Sequence, residues 1–431
     1  MAGAPGLAIN SVSWWRGGRR AATRSGVRRA AGALTASARY QGVAIFSSQR
    51  GGTVRVRGVA TFITRFEPRG SGPRVAVKDI IDVAGVPTTA GCRAIASAAQ
   101  AAERDAACLA GCRAADARLV GKANLHELAM LPLGTNPWFG TPVNPVDPEL
   151  IPGGSSSGSA VAVATGEADV ALGSDTGGSV RIPAACCGVC GLKTTHGRIS
   201  LEGVWPLAPS MDTIGPIATS IAGLALGMEL LEPGFAIATS AAGRIGRVRT
   251  SGLPEIEAAV DQALRAAELD VVDLTLPGWE LGSFAFTVIY FSELWDADHE
   301  LVEQHRDGVG DDIAATVGMA ETFRPQLAEA LRQRDQWEAN LARIFEQVEL
   351  LALPTLPIFP PRLDELQGDL TPILIELSKH TSLFNAAGMP CVAQPIPVAG
   401  DRLPASLQLV GPWNSENLLL ATAELIAAAR G

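Results

Sequence analysis

An α/β fold around a mainly parallel sheet is what this sequence predicts, and two helix-then-strand alternations carry the reading. In "PEIEAAVDQALRAAELDVVDLTLPG" (254–278), Ile256, Val260 and Leu264 fall on one helical face, and "DVVDLTL" then alternates as a strand does. A long helix predicted over about 325–348, with Leu327, Leu331, Leu341, Phe345 and Val348 apolar, runs into the strand "ELLALPT". Helices that alternate with strands cover the faces of a sheet whose strands run largely parallel.

The other elements follow in chain order. "PRVAVKDIIDVAG" (73–85) reads as a buried strand with a polar insert at Lys78-Asp79, residues 103–118 as a helix, and "RLVGKANLHELAML" (118–131) as strand, turn and helix. Residues 131–154, rich in Pro, Gly and Asn, read as a long structured loop, a kind usually either functional or disordered. "SSGSAVAVATG" (156–166) reads as a helix of small residues, and "ADVALGSDT" (168–176) as a short buried strand entering a glycine turn. Ser415 is placed to cap the last helix, "ENLLLATAELIAAAR".

Composition narrows the functional classes. A chain of 431 residues, 47% apolar and 18% charged, can bury a large core. The longest apolar stretch, Thr213 to Met228, is interrupted by Pro216 and glycines, short of the ~20 residues a membrane span needs. Seven cysteines without a secretory leader fit reduced, buried thiols in a cytoplasmic protein, and Cys187-x-x-Cys190 has no second pair with which to hold zinc. Residues 1–75 contain 13 arginines and one acid, Glu67, within a chain of net charge −9. The segment 1–70 is therefore expected to stand apart from the fold. A transit peptide and a nucleic-acid-binding arm are the competing readings, the second disfavoured by the acidic remainder.

Two glycine-serine clusters, "PGGSSSGSA" and "LGSDTGGSVRIPA", lie close together in the chain. Gly154-Ser155-Ser156-Ser157-Gly158 matches a nucleophile elbow in letters, but the preceding "NPVDPELIP" cannot be the strand an elbow needs. "HRDG" at His305 lacks the rest of a kinase loop, and "GKAN" at Gly121 lacks the upstream glycine of a P-loop. None of the five histidines pairs with an acid or cysteine at a telling spacing, so a Ser-His-Asp triad has little support, and lysine is one base a serine nucleophile could use. Lys78 sits in an apolar strand, where burial lowers an amine's pKa; the duller alternative is an ion pair with Asp79 or Asp82.

Taken in order, "VAVKDIIDVAGVPTTAG", "GKANLHELAM", "PGGSSSGSAVAVATG", "ALGSDTGGSVRIPAACCGVCGLKTTHGRIS" and "MDTIGPIA" resemble the amidase signature family, and "FNAAGMPCVAQPIP…LPASLQLVG" resembles its closing segment. The resemblance implies an α/β/α sandwich around a large twisted mixed β-sheet. It divides 71–431, as one amidase domain, into a core of about 74–218, a variable helical part of about 235–350, and a C-terminal part 351–431. It also implies a Ser-cisSer-Lys triad: Lys78 as base, Ser155 as bridging serine after a cis peptide bond, and Ser179 as nucleophile. On the same resemblance, the amides of Thr176, Gly177, Gly178 and Ser179 form an oxyanion hole. Asp175 and Arg181 support the turn, and Ala129 and Ser155 contact substrate.

The implied activity is hydrolysis of linear carboxylic amides through an acyl-enzyme, releasing ammonia or an amine. No metal or organic cofactor is implied, nor a nucleic acid or membrane partner, and a homodimer is left open. The alternative is the glutamine-using component of a Glu-tRNA(Gln) amidotransferase-type complex, whose pattern has an aspartate where "SKHTSLFN" has Ser378 and a glycine where "LPASLQ" has Ser406. Those departures favour the free amidase. The acyl preference is expected to reside in loops of about 120–145 and 280–390.

Overall fold

The computed structural model describes residues 60–429. Eleven strands form one sheet: β1 (Phe62–Arg65), β2 (Arg74–Lys78), β3 (Arg118–Ala123), β4 (Val170–Asp175), β5 (Cys190–Lys193), β6 (Thr213–Ala218), β7 (Arg244–Val248), β8 (Asp270–Leu274), β9 (Leu350–Pro354), β10 (Cys391–Ile396) and β11 (Ala405–Val410). Their spatial order is β1-β3-β2-β4-β6-β5-β10-β11-β9-β7-β8.

The expectation of a mainly parallel sheet is corrected. Only β2–β3, β2–β4, β7–β8 and β7–β9 are parallel, and every other pairing is antiparallel. Parallel pairing needs a crossover, usually helical, whereas antiparallel strands accept short connections. The legible helix-strand alternations belong to the two ends of the sheet. Its middle is threaded by loops, such as the one between β10 and β11, and the mixed sheet implied by the family resemblance is the one present.

The alternation of side chains explains the layering. Val75 and Val77 of β2 and Val170 and Leu172 of β4 join a core that includes Ile221, Leu224 and Met228 of the helix Ile221–Leu231. Ala76 and Ala171 point to the other face and pack with Ala160, Val161 and Val163 of the helix Ser157–Ala164. Small residues on both sides let that helix lie close to the strands.

Several local readings change. Residues 103–118 hold only a 3-10 turn, Ala107–Leu109, and a short helix, Ala110–Ala114, before β3 begins. The helix expected after β3 is a single 3-10 turn, Glu127–Ala129, in which Leu128 and Ala129 take left-handed φ of 54° and 59°. The long helix is Leu327–Phe345, and its buried stripe is Ala330, Trp337, Leu341 and Ile344; Leu331 faces solvent. Ser415 is at the N-cap position of Glu416–Ala428, but its hydroxyl donates to Pro412 O instead of capping.

The variable helical part of about 235–350 contains the 26-residue helix Trp279–Gln304, packed along Leu327–Phe345, where Gly282 makes room for the Trp337 ring. Its sequence, "WELGSFAFTVIYFSELWDADHELVEQ", is apolar and aromatic around most of its circumference, so no single stripe announces it. β1 falls inside the segment 1–70 expected to stand apart, and it pairs antiparallel with β3. The rest of that arginine-rich reading concerns residues 1–59, which lie outside the described residues. All seven cysteines are buried, and the Cys187 thiol donates to Pro152 O at 3.3 Å. Among the described residues no helix is long and apolar enough to cross a membrane.

Candidate active site

β2 and β4 are parallel neighbours, so their carboxyl ends open at the same edge of the sheet, the usual place for a ligand in α/β folds. β2 ends at Lys78 and β4 ends at Ser174-Asp175, followed by the glycine turn 176–180. The helix Ser157–Ala164 starts beside them, with Ser156 at its N-cap.

Lys78 is fully buried. Its Nζ donates to Ser155 Oγ at 2.7 Å and to Ser174 Oγ at 2.8 Å. The ion-pair alternative does not describe it. Asp79 is taken by Lys122 at 2.9 Å and by the Thr89 hydroxyl, and Asp82 accepts from Thr88 Oγ1. With hydroxyls as its bonding partners, the amine feels desolvation most strongly, and burial lowers its pKa to about 7 against the opposing pull of the Asp175 and Asp212 charges.

The peptide bond between Gly154 and Ser155 is cis. Its surroundings hold it by backbone bonds: Gly154 N–H donates to Pro132 O at 2.7 Å, and His126 N–H donates to Ser155 O at 3.0 Å. Ser156 N–H donates to Ser179 O at 3.2 Å, which joins the two serine clusters. Ser155 and Lys78 are thus in direct contact, and Ser179, tied to the residue after Ser155 through its own carbonyl, is half-buried where Ser155 is fully buried.

The turn is braced by a buried polar network. Arg181 grips Asp175 through Nε and Nη2, both at 2.9 Å, and its remaining donors reach Thr381 O, Gln408 Oε1 and Asn385 Oδ1. Asn385 Nδ2 returns a bond to Asp175 Oδ1 at 2.8 Å. Burial alone would raise the Asp175 pKa; the Arg181 guanidinium and the further donors override it and hold the carboxyl well below the usual carboxylate range.

Asp175 Oδ1 also accepts the Gly178 N–H at 2.8 Å. The expectation that Gly178 donates to an oxyanion is corrected on that ground, because its one N–H is already engaged. Gly178 is needed for another reason: its φ is +132°, and a Cβ there would meet Thr381 Oγ1 at 2.4 Å. Thr176 is fixed through its hydroxyl, which donates to Asp212 Oδ1 at 2.6 Å. Ala129 follows Leu128 in left-handed backbone, a conformation costing about 1–2 kcal/mol per residue that the surrounding structure must hold.

Ser174, Asp212, Thr381, Asn385 and Gln408 were not singled out from the sequence. Gln408 in the apolar run "SLQLV" was the legible signal, since a polar side chain at an inward strand position must have a partner. Ser174→Ala removes one acceptor that favours the charged lysine. We expect activity to drop about tenfold through lost orientation of Nζ, and the acid limb of the pH–rate profile to move to lower pH. A limb that stays in place would show Ser174 to be only packing.

Comparison with known proteins places the chain in a family. The amidase family model matches residues 71–234 and 235–420. The A chain of the glutamyl-tRNA(Gln) amidotransferase of Halobacterium salinarum is 33% identical over 408 residues, covering 82% of this chain and 95% of the relative. A solved amidase superposes with a TM-score of 0.73 at 30% identity, covering 83% of this chain and 84% of its own. The corresponding glutamyl-tRNA(Gln) amidotransferase component from Thermotoga maritima superposes with a TM-score of 0.74 at 28% identity, covering 85% and 86%. Fold and relatives together define a hydrolase acting on carbon–nitrogen bonds. The chain belongs to the amidase family, the enzymes of the amidase signature.

Proposed function

We propose that the chain cleaves a carboxamide by acyl transfer, with Ser179 as nucleophile, Ser155 as proton bridge and Lys78 as base. The observation that carries this reading is the 2.7 Å bond between a fully buried Lys78 and Ser155, with a lysine pKa of about 7. A lysine poised there is neutral often enough at physiological pH to accept a proton. Lys78 takes the Ser155 proton as Ser155 takes that of Ser179, and Ser179 Oγ bonds to the carbonyl carbon. The amides of Thr176, Gly177 and Ser179 receive the oxyanion; one such donor is worth about 3–4 kcal/mol. The proton returns through Ser155 to the departing nitrogen, ammonia or an amine leaves, and water repeats the sequence on the acyl ester. Asp175 and Arg181 keep the turn in shape, and the backbone at Ala129 lies along the substrate.

Two versions of that chemistry differ in the amide. By relatedness the stronger support goes to a glutamine-dependent amidotransferase component working with protein partners, since the curated relatives carry that name. Local chemistry speaks for a free amidase. Ser378 stands where the amidotransferase pattern has an aspartate, and its hydroxyl donates to Leu374 O at 2.7 Å, inside its own helix. It offers no charge to an ammonium group.

The deciding experiment is ammonia release from a panel of primary amides, glutamine included, by wild type, Ser179→Ala and Lys78→Ala. Hydrolysis of simple amides in preference to glutamine, lost at least 10³-fold in both variants, supports the free amidase. Glutamine preference, with partner proteins co-purifying, supports the amidotransferase. Activity that survives Ser179→Ala sinks both versions.

A further inference from the structure

The helix Trp279–Gln304 brings aromatic side chains to the glycine turn of the site. A Cβ built on Gly177 would lie 2.7 Å from Phe286 Cζ, so the tip of that ring sits within a methyl group's width of the turn that carries Ser179. Phe286, Gly177 and Ser179 are all half-buried, whereas Lys78 and Ser155 are fully buried, so the ring adjoins the part of the turn that solvent reaches. Tyr290, one turn on, stacks on Phe286 with centroids 5.3 Å apart and planes 19° from parallel. The Tyr290 hydroxyl donates to Met130 O, next to the left-handed Ala129. One helix face therefore spans from the glycine turn to the segment expected to line the substrate; its ring surfaces are apolar, and the Tyr290 hydroxyl is engaged with Met130 O. The nearest acid on that face, Glu293, is bound to Ser210 N–H at 2.9 Å.

We infer that Phe286, held in place by Tyr290, is the specificity-determining wall of the acyl subsite and selects amides whose acyl group is apolar and unbranched at the carbon next to the carbonyl. A straight chain runs along the ring face; a branch at that carbon meets the ring edge, where a methyl group added at Gly177 would already have no space. The inference rests on the carboxamide-cleavage reading above.

Fluorophosphonates test it without a known amide. Ser179 Oγ bonds to phosphorus, the P–F bond breaks, fluoride leaves, and the serine proton passes to the Ser155–Lys78 pair. The labelling rate is read by intact mass for reagents with n-propyl or tert-butyl on phosphorus, in wild type, Phe286→Ala, Phe286→Trp and Ser179→Ala. We expect wild type to label faster with n-propyl, Phe286→Ala to raise the tert-butyl to n-propyl ratio at least tenfold, and Phe286→Trp to lower it. A ratio that is the same in both Phe286 variants as in wild type, with labelling intact, overturns the wall while leaving the nucleophile in place. Wild type that is not labelled at Ser179, or labelling that persists in Ser179→Ala, overturns the carboxamide reading and this inference with it.

Discussion

Lys78→Met is expected to give a protein that is inactive yet more stable than wild type near neutral pH. An unfolded lysine keeps its proton to about pH 10.4, whereas folded Lys78 releases it near pH 7. Between those values the unfolded chain binds more protons, so this residue's contribution to stability rises with pH across that window. Below pH 7 the fold carries the full cost of a buried ammonium, on the order of several kcal/mol for a displacement of this size. Methionine fills similar space without the charge, and the loss of two hydrogen bonds, each worth about 1 kcal/mol, offsets only part of the gain. Denaturant unfolding of both proteins at pH 6.5 and pH 9.5 checks this. The wild type should gain stability relative to the variant as pH rises, and amide hydrolysis should be undetectable in the variant. A stability difference that does not change with pH would mean that Lys78 does not titrate in this window.

Arg181→Met is expected to destabilise the protein by about 3–5 kcal/mol, the usual consequence of stripping one partner from a buried ion pair. The change leaves the Asp175 carboxylate buried without its cation and removes donors from Thr381 O, Gln408 Oε1 and Asn385 Oδ1. Asp175 also holds the Gly178 and Val180 amides, so the nucleophile turn should loosen and activity should fall together with stability. The paired change Asp175→Asn with Arg181→Met removes both charges and should recover part of the stability but little of the activity. A thermal-melting series of wild type, Arg181→Met and the paired variant checks this, and a neutral result for Arg181→Met would refute the bracing role.

The parts of the site that the sequence made legible are those in which glycine and serine mark special backbone: the two clusters, the turn 176–180, and Lys78 in an apolar strand. Ser174 was hidden because a serine in a buried strand leaves no periodic trace. Phe286 and Tyr290 were hidden because their helix is apolar on nearly every side, so its pattern does not separate core from cleft. Ala129 sits in a segment whose letters favour a helix, and only tertiary contacts, such as the Leu128 N–H donated to Ala90 O, show why it is not one. The sheet's direction was misread for a similar reason, since helix-strand alternation was visible only at its ends.

The buried Arg181 network also bears on when a newly made chain becomes competent. Its partners Asn385 and Gln408 lie 204 and 227 residues downstream of it. Until a ribosome has delivered them, the guanidinium has no place to discharge its remaining donors, and the turn that carries Ser179 is not held. The turn that carries Ser179 is therefore fixed late in synthesis, and a chain cut short before β11 would carry the three residues of the proposed triad in its sequence without that turn held.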